Sequence, residues 1–154
     1  KVNKKEIGSD RLANAISVMN KKKNFIVVDF GTATTFDVIM KNNYLGGVIA
    51  PGVALSLDNL IKKASLIPNI ELHKSKSIIG KNTKQAVLSG FFWGYNGLIN
   101  GIISKIKKKT NQKYKIIFTG GLAHLFNKDI KDKVTIDKNL TINGLIKVSK
   151  HFNL

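Results

Sequence analysis

Residues 24–37, reading N-F-I-V-V-D-F-G-T-A-T-T-F-D, constrain this chain more than any other stretch. Residues 25–30 have the length and β-branched content of a buried strand, and 34–40 can return beside it as a hairpin. Gly31 can take positive φ at no steric cost, so the chain is expected to reverse there with the Thr32 amide and hydroxyl pointing outward. Asp29, an acid at the end of a buried strand followed by hydroxyls and exposed amides, suits a cation and a phosphate. The same polar residues would also satisfy a plain hairpin turn.

A chain of 154 residues is one domain by length, able to bury roughly two thirds of its unfolded surface. With 43% hydrophobic residues and no apolar run of bilayer length, it reads as globular, with no membrane partner. Its first residues are polar and basic, which predicts no signal peptide, and the absence of cysteine excludes disulfides and thiolate metal sites. Both features favour a cytoplasmic location. Lys1 in place of methionine suggests the later part of a longer chain. The formal charge of +17 could serve nucleic acid, but the cations are almost all lysine, scattered or in short runs. No zinc pattern, RNA-binding aromatic motif or basic zipper accompanies them, so a solvated basic surface is expected and no nucleic acid.

Residues 1–8 read as a strand remnant or linker. Gly8-Ser9-Asp10-Arg11 then opens a helix with Leu12, Ala13, Ile16 and Met19 on its apolar face, and with Ser9 or Asp10 as N-cap. Arg11 is the sole arginine in a lysine-rich chain, and its rigid fork grips carboxylates and phosphates as lysine cannot. Asp10 and Arg11 together, a base beside an anion clamp at a helix N-terminus, make a substrate corner. A third strand over 44–50 is weakened by Gly46-Gly47, which signals a bulge or a close backbone approach. Pro51-Gly52 ends it, and a helix over 54–63 offers Leu55, Leu57, Leu60 and Ile61 for packing.

Residues 65–76 read as irregular, with His73 exposed. The longest helix runs from Thr83 to about Lys109, capped by Asn82, with Ala86, Val87, Phe91, Leu98, Ile102 and Ile106 as its apolar face. Gly90, Gly94, Gly97 and Gly101 form a small-residue track along it, at roughly 0.5–1 kcal/mol each relative to alanine. Close packing against the same domain or a second subunit would offset that cost. A strand over 115–118, the Thr119-Gly120-Gly121 turn, a short helix through Phe126, a strand over 134–136 and a helix over 140–152 complete the chain. Bare amides at that turn could receive a phosphate.

Six motifs in order carry a family resemblance: G-S-D-R at 8–11, D-F-G-T-A-T-T-F-D at 29–37, G-G-V-I-A-P-G at 46–52, G-K-N-T at 80–83, T-G-G-L-A at 119–123 and L-T-I-N-G-L at 140–145. The sequence resembles the type III pantothenate kinases of the acetate and sugar kinase, chaperone and actin superfamily. The resemblance implies an α/β ribonuclease-H-like domain of the actin-like ATPase superfamily, its mixed sheet beginning with three antiparallel strands and flanked by helices. It implies the end of an amino-terminal domain and an interdomain helix over 1–23, and a carboxyl-terminal ATPase domain over 24–154. The amino-terminal domain of the family, with its Asp-x-Gly-Asn-Thr phosphate loop, is not among these residues, so the chain alone is expected to be inactive.

The implied activity is ATP-dependent phosphorylation of pantothenate to 4'-phosphopantothenate, the first step of coenzyme A biosynthesis. Asp10 would be the general base and Gly8, Ser9, Asp10, Arg11 and Thr83 would bind pantothenate, Arg11 pairing with an anionic group. Thr32 would contact ATP phosphate, with Mg2+ accompanying the nucleotide. Asp29 would hold a monovalent cation, K+ or NH4+. A homodimer is implied, with Thr83 reaching across its interface. Ser9 stands where the family often has alanine, and Asp37 receives no role beyond turn or strand polarity.

Asp29-Phe30-Gly31 also matches the magnesium triplet of protein kinases, but the H-R-D loop and glycine-rich loop of that class are absent. A non-enzymatic regulatory relative, of the kind named Bvg accessory factors, shares the fold. Retention of both Asp10 and Asp29 in their motifs favours the enzyme.

Overall fold

The computed structural model describes residues 2–3 and 6–152. Part of the expected linker over 1–8 therefore lies outside the described residues. In chain order the elements are α1 (Ser9–Val18), β1 (Asn24–Phe30), β2 (Ala33–Met40), β3 (Asn43–Pro51), α2 (Val53–Lys63), α3 (Thr83–Thr110), β4 (Lys115–Gly120), α4 (Ala123–Phe126), β5 (Val134–Ile136) and α5 (Leu140–Phe152).

The strands form one mixed sheet in the order β3-β2-β1-β4-β5. β1, β2 and β3 run antiparallel in sequence, while β4 lies parallel to β1 and β5 parallel to β4. This is the architecture expected from the sequence. Each face of the sheet follows from the period-two alternation of its strands. Ile26, Val28, Phe30, Phe36, Ile116 and Phe118 point to one face, where they pack with Val53 of α2, Phe92, Ile99 and Ile103 of α3, and Phe126 of α4. Phe30 contacts Phe118 edge-on at 5.0 Å and stacks on Phe126 at 5.4 Å. At about 1.5–3 kcal/mol per large buried side chain, this face holds most of the hydrophobic stabilisation. The other face carries Phe25, Val27 and Ile39 under Ala15 and Val18 of α1 and Leu140 of α5. Beyond Val27 it turns polar, and the site lies there.

Several local expectations change. Gly31 does not use positive φ; the glycines that do are Gly46 and Gly120. Gly52 holds the β1–β2 turn from behind, donating its N–H to the Thr32 carbonyl at 3.1 Å. Gly8, not Ser9 or Asp10, is the N-cap of α1, and no side chain caps that helix. Its buried face is Ala13, Asn14, Ala15 and Val18, while Leu12 is exposed. On α2, Val53 and Leu57 are buried, and Leu55 and Leu60 are exposed.

Asn82 does cap α3, accepting from the Gln85 N–H at 2.9 Å. The buried face of α3, however, is Leu88, Ser89, Phe92, Asn96, Ile99 and Ile103, one position round from the expected stripe. Phe91, Leu98, Ile102 and Ile106 flank it half-buried and Ala86 is exposed.

Candidate active site

Helix α1 brings its first turn and its Asn14 to the polar end of the sheet. Asn14 is fully buried; its Nδ2 donates to Asp29 Oδ2 at 2.8 Å and its Oδ1 accepts from the Thr141 hydroxyl at 2.7 Å. One turn earlier on the helix stands Asp10, exposed, its Oδ1 folded back against Gly8. A β-carbon added at Gly8 would lie 2.6 Å from that oxygen, so glycine leaves the carboxylate its present position. Arg11 reaches β2, where Nε donates to Asp37 Oδ1 at 2.9 Å and Nη2 lies 2.7 Å from the same oxygen.

Asp29 sits near the carboxyl end of β1, beside Thr119 of β4 and opposite Thr35 of β2. Carboxyl ends of parallel strands are where ligands bind in open α/β sheets. Gly120, at φ +86°, comes so close that a β-carbon there would be 2.7 Å from both Asp29 Oδ1 and the Phe30 carbonyl oxygen. Burial raises the Asp29 pKa, Asn14 opposes the shift, and the charges of Asp10 and Asp37 add to it. Burial also raises Asp37, against hydrogen bonds from Tyr44 and Arg11. For Arg11, burial alone would lower the pKa, but Asp37 outweighs it and holds the guanidinium above its ordinary value. The corner thus gathers Asp10, Asp29 and Asp37 around a single arginine in a chain of formal charge +17.

Such a local excess of negative charge favours a cation. Among the described residues no cluster of three or more His, Asp or Glu side chains forms a metal cage. Asp29 Oδ1 instead lies against Gly120 beside the Phe30 backbone, whose nitrogen and carbonyl oxygen are both as near to that glycine's β-carbon position. One carboxylate oxygen is the sole charged donor there, so a hard cation would need water or further oxygens to complete its shell.

Thr32 is exposed on the β1–β2 turn, two residues past the end of β1. Ser9 is exposed in the first turn of α1. Thr83 is not brought to this corner. It lies exposed on the first turn of α3, in a cleft with Leu66, Pro68, His73 and Gln85, and α3 packs on the other sheet face. Asn14, Tyr44 and Thr141 are site residues the sequence reading missed; the one available signal was Asn14, four positions after Asp10 and therefore on the same helix face.

Solved structures share this fold. A crystal structure described as a conserved Baf family transcriptional activator from Campylobacter jejuni superposes with TM-score 0.74 at 26% identity, covering 100% of this chain and 69% of that one. MreB 5 of Spiroplasma citri bound to AMPPNP superposes with TM-score 0.58 at 13% identity, covering 94% of this chain and 58% of that one, which bears on fold alone. The sheet order and these likenesses give this chain a ribonuclease-H-like fold of the kind found in actin-like ATPases.

The family follows from sequence. The profile of the type III pantothenate kinases matches residues 1–105. The type III pantothenate kinase of Pelagibacter ubique (strain HTCC1062) is 62% identical over 149 residues, covering 97% of this chain and 60% of that protein. This chain belongs to the type III pantothenate kinase family. It spans 60% or less of the length of the curated relatives it matches.

Proposed function

We propose that this chain supplies the carboxyl-terminal half of the active cleft of a type III pantothenate kinase, which phosphorylates pantothenate at the expense of ATP in the cytoplasm. An amino-terminal domain carrying the phosphate loop would complete the cleft, the boundary falling near residue 23, and the 154 residues alone would be inactive. The observation that carries this reading is the bonding of α1 to the sheet acids, Arg11 to Asp37 and Asn14 to Asp29, with Asp10 close enough for its charge to act on both.

Asp10, exposed to an incoming substrate, takes the proton of the primary hydroxyl as its oxygen attacks the γ-phosphorus and ADP departs with the bridging oxygen. Gly8, Ser9 and Arg11 line the pantothenate side of the corner. Thr32, on a turn held by Gly52, meets ATP phosphate. Asp29 would hold K+ or NH4+, which would offset phosphate charge, and Mg2+ would accompany the nucleotide. Thr83, absent from the corner of its own chain, serves pantothenate in the partner subunit of a homodimer.

The regulatory name of the Campylobacter jejuni structure belongs to that protein, and the acids retained here favour the kinase. The test is phosphorylation of pantothenate by the complete gene product. Asp10→Asn should reduce turnover by about 10²–10⁴-fold with unfolding unchanged. Potassium should stimulate the parent enzyme, and Asp29→Ala should abolish that stimulation. A variant Asp10→Asn retaining half the parent's turnover, or equal rates in sodium and potassium, would sink the reading.

A further inference from the structure

Asp37 is the one acid of the corner that the proposed reaction leaves unused, and it is fully buried. Its Oδ1 accepts from Arg11 Nε at 2.9 Å and from the Tyr44 hydroxyl at 2.6 Å, with Arg11 Nη2 at 2.7 Å. The Tyr44 oxygen also accepts from Arg11 Nη2 at 2.8 Å, closing a ring of three side chains. Asp37 Oδ2 has no protein donor, so its hold on neighbouring side chains runs through Oδ1.

Strand β3 is shaped around this ring. Val38 pairs with Gly46 and Ile39 with Tyr44, so Leu45 is an extra residue, and the bulge brings Tyr44 onto the face that carries Asp37. Gly47 lies opposite Asp37, and a β-carbon there would fall 2.5 Å from Arg11 Nη2 and 2.2 Å from the Phe36 carbonyl. The guanidinium therefore lies against bare backbone, gripped from one side by a carboxylate and a phenol. Gly46, at φ +111°, supplies the turn of backbone the bulge needs.

We infer that Asp37, assisted by Tyr44, is a positioning residue that fixes the Arg11 guanidinium in one orientation before pantothenate arrives. The inference rests on the kinase reading above. An unrestrained arginine loses its rotamer freedom when a substrate binds; one held in advance does not. Asp37 therefore acts on substrate affinity more than on the chemical step.

The experiment is steady-state kinetics of the complete gene product with ATP and pantothenate. Asp37→Asn keeps the shape and removes the charge, and should raise the pantothenate KM about tenfold with a smaller fall in kcat and an unchanged KM for ATP. Tyr44→Phe should shift the pantothenate KM the same way, about threefold. Asp37→Asn added to Arg11→Lys should raise the pantothenate KM no further, because Asp37 works through Arg11.

An unchanged pantothenate KM in Asp37→Asn, or full additivity with Arg11→Lys, overturns the inference. Should Asp37→Asn fail to fold, Tyr44→Phe decides by itself, and an unchanged KM there is equally fatal. A parent enzyme that does not phosphorylate pantothenate at all sinks the kinase reading instead, and this inference with it.

Discussion

Asn14 donates from Nδ2 to Asp29 Oδ2 at 2.8 Å, so a fully buried amide ties the first helix to the end of the first strand. The Thr141 hydroxyl donates to Asn14 Oδ1 at 2.7 Å, which fixes the amide with its N–H groups toward Asp29. Three elements, α5, α1 and β1, are thereby locked in register at the corner.

Asn14→Leu keeps the branching pattern but leaves both Asp29 Oδ2 and the Thr141 hydroxyl without this partner. An orphaned buried group costs about 1–3 kcal/mol. Urea unfolding of the chain should show a loss in that range, and Thr141→Val a loss of about 1 kcal/mol. Parent-like midpoints in both would show the relay to be incidental.

Gly120→Ala should be among the most damaging small substitutions. The residue sits at φ +86°, and the new methyl would lie 2.7 Å from Asp29 Oδ1 and from the Phe30 backbone nitrogen and oxygen. Left-handed backbone alone costs alanine about 1–2 kcal/mol, and the backbone clash adds to it. Gly121→Ala, where nothing lies within 4 Å, should be mild and serves as the control. Equal stability of the two variants would contradict the close approach of β4 to Asp29.

Asp37 sets a pH dependence. Its pKa in the folded chain is raised, first by burial, against Tyr44 and Arg11 and with the charge of Asp10 adding to the rise. A raised carboxyl favours the protonated form in the fold, so its contribution to stability is present at low pH. That contribution fades as pH climbs from the ordinary carboxylate value of about 3.9 through the raised one. Asp37→Asn cannot titrate. The gap, taken as parent stability minus variant stability, should therefore fall as pH rises through that window in urea titrations. A gap that rises would mean that Arg11 and Tyr44 outweigh burial.

The sheet was legible in the sequence because β-branched runs ending at Gly31, Lys41 and Pro51 mark strand ends locally, and Asn82 marked the start of α3. The site was less legible because its bonds cross long stretches of chain. Arg11 meets Asp37 across 26 positions and Asn14 meets Thr141 across 127, distances at which periodicity carries no information. Apolar spacing also misassigned the inner face of α1, where Leu12 is exposed and Asn14 buried: two hydrogen bonds offset the cost of burying that amide. On α3 the glycines and aromatics surround the helix, so the apolar stripe could be read one residue off. Gly46-Gly47 announced a bulge or a close approach, and the structure shows both.

The glycine track on α3 gives the last prediction. A β-carbon at Gly90, Gly94, Gly97 or Gly101 meets nothing within 4 Å, so the track does not pack against the sheet of its own chain. The neighbouring aromatics are already half-covered: Phe91, Trp93 and Tyr95 pack on the core, and the Tyr95 hydroxyl reaches the Pro51 carbonyl at 3.1 Å. What the track leaves open is backbone, and close approach of a second α3 in the proposed homodimer would use it. The two situations predict opposite signs. In the 154-residue chain as a monomer, Gly94→Ala should stabilise by about 0.8–1.0 kcal/mol through helix propensity. In the complete gene product, Gly94→Leu or Gly97→Leu should shift sedimentation toward monomer and lower pantothenate phosphorylation, because Thr83 would lose the partner's corner. A leucine variant that remains dimeric and fully active would show that α3 is not the seam between subunits.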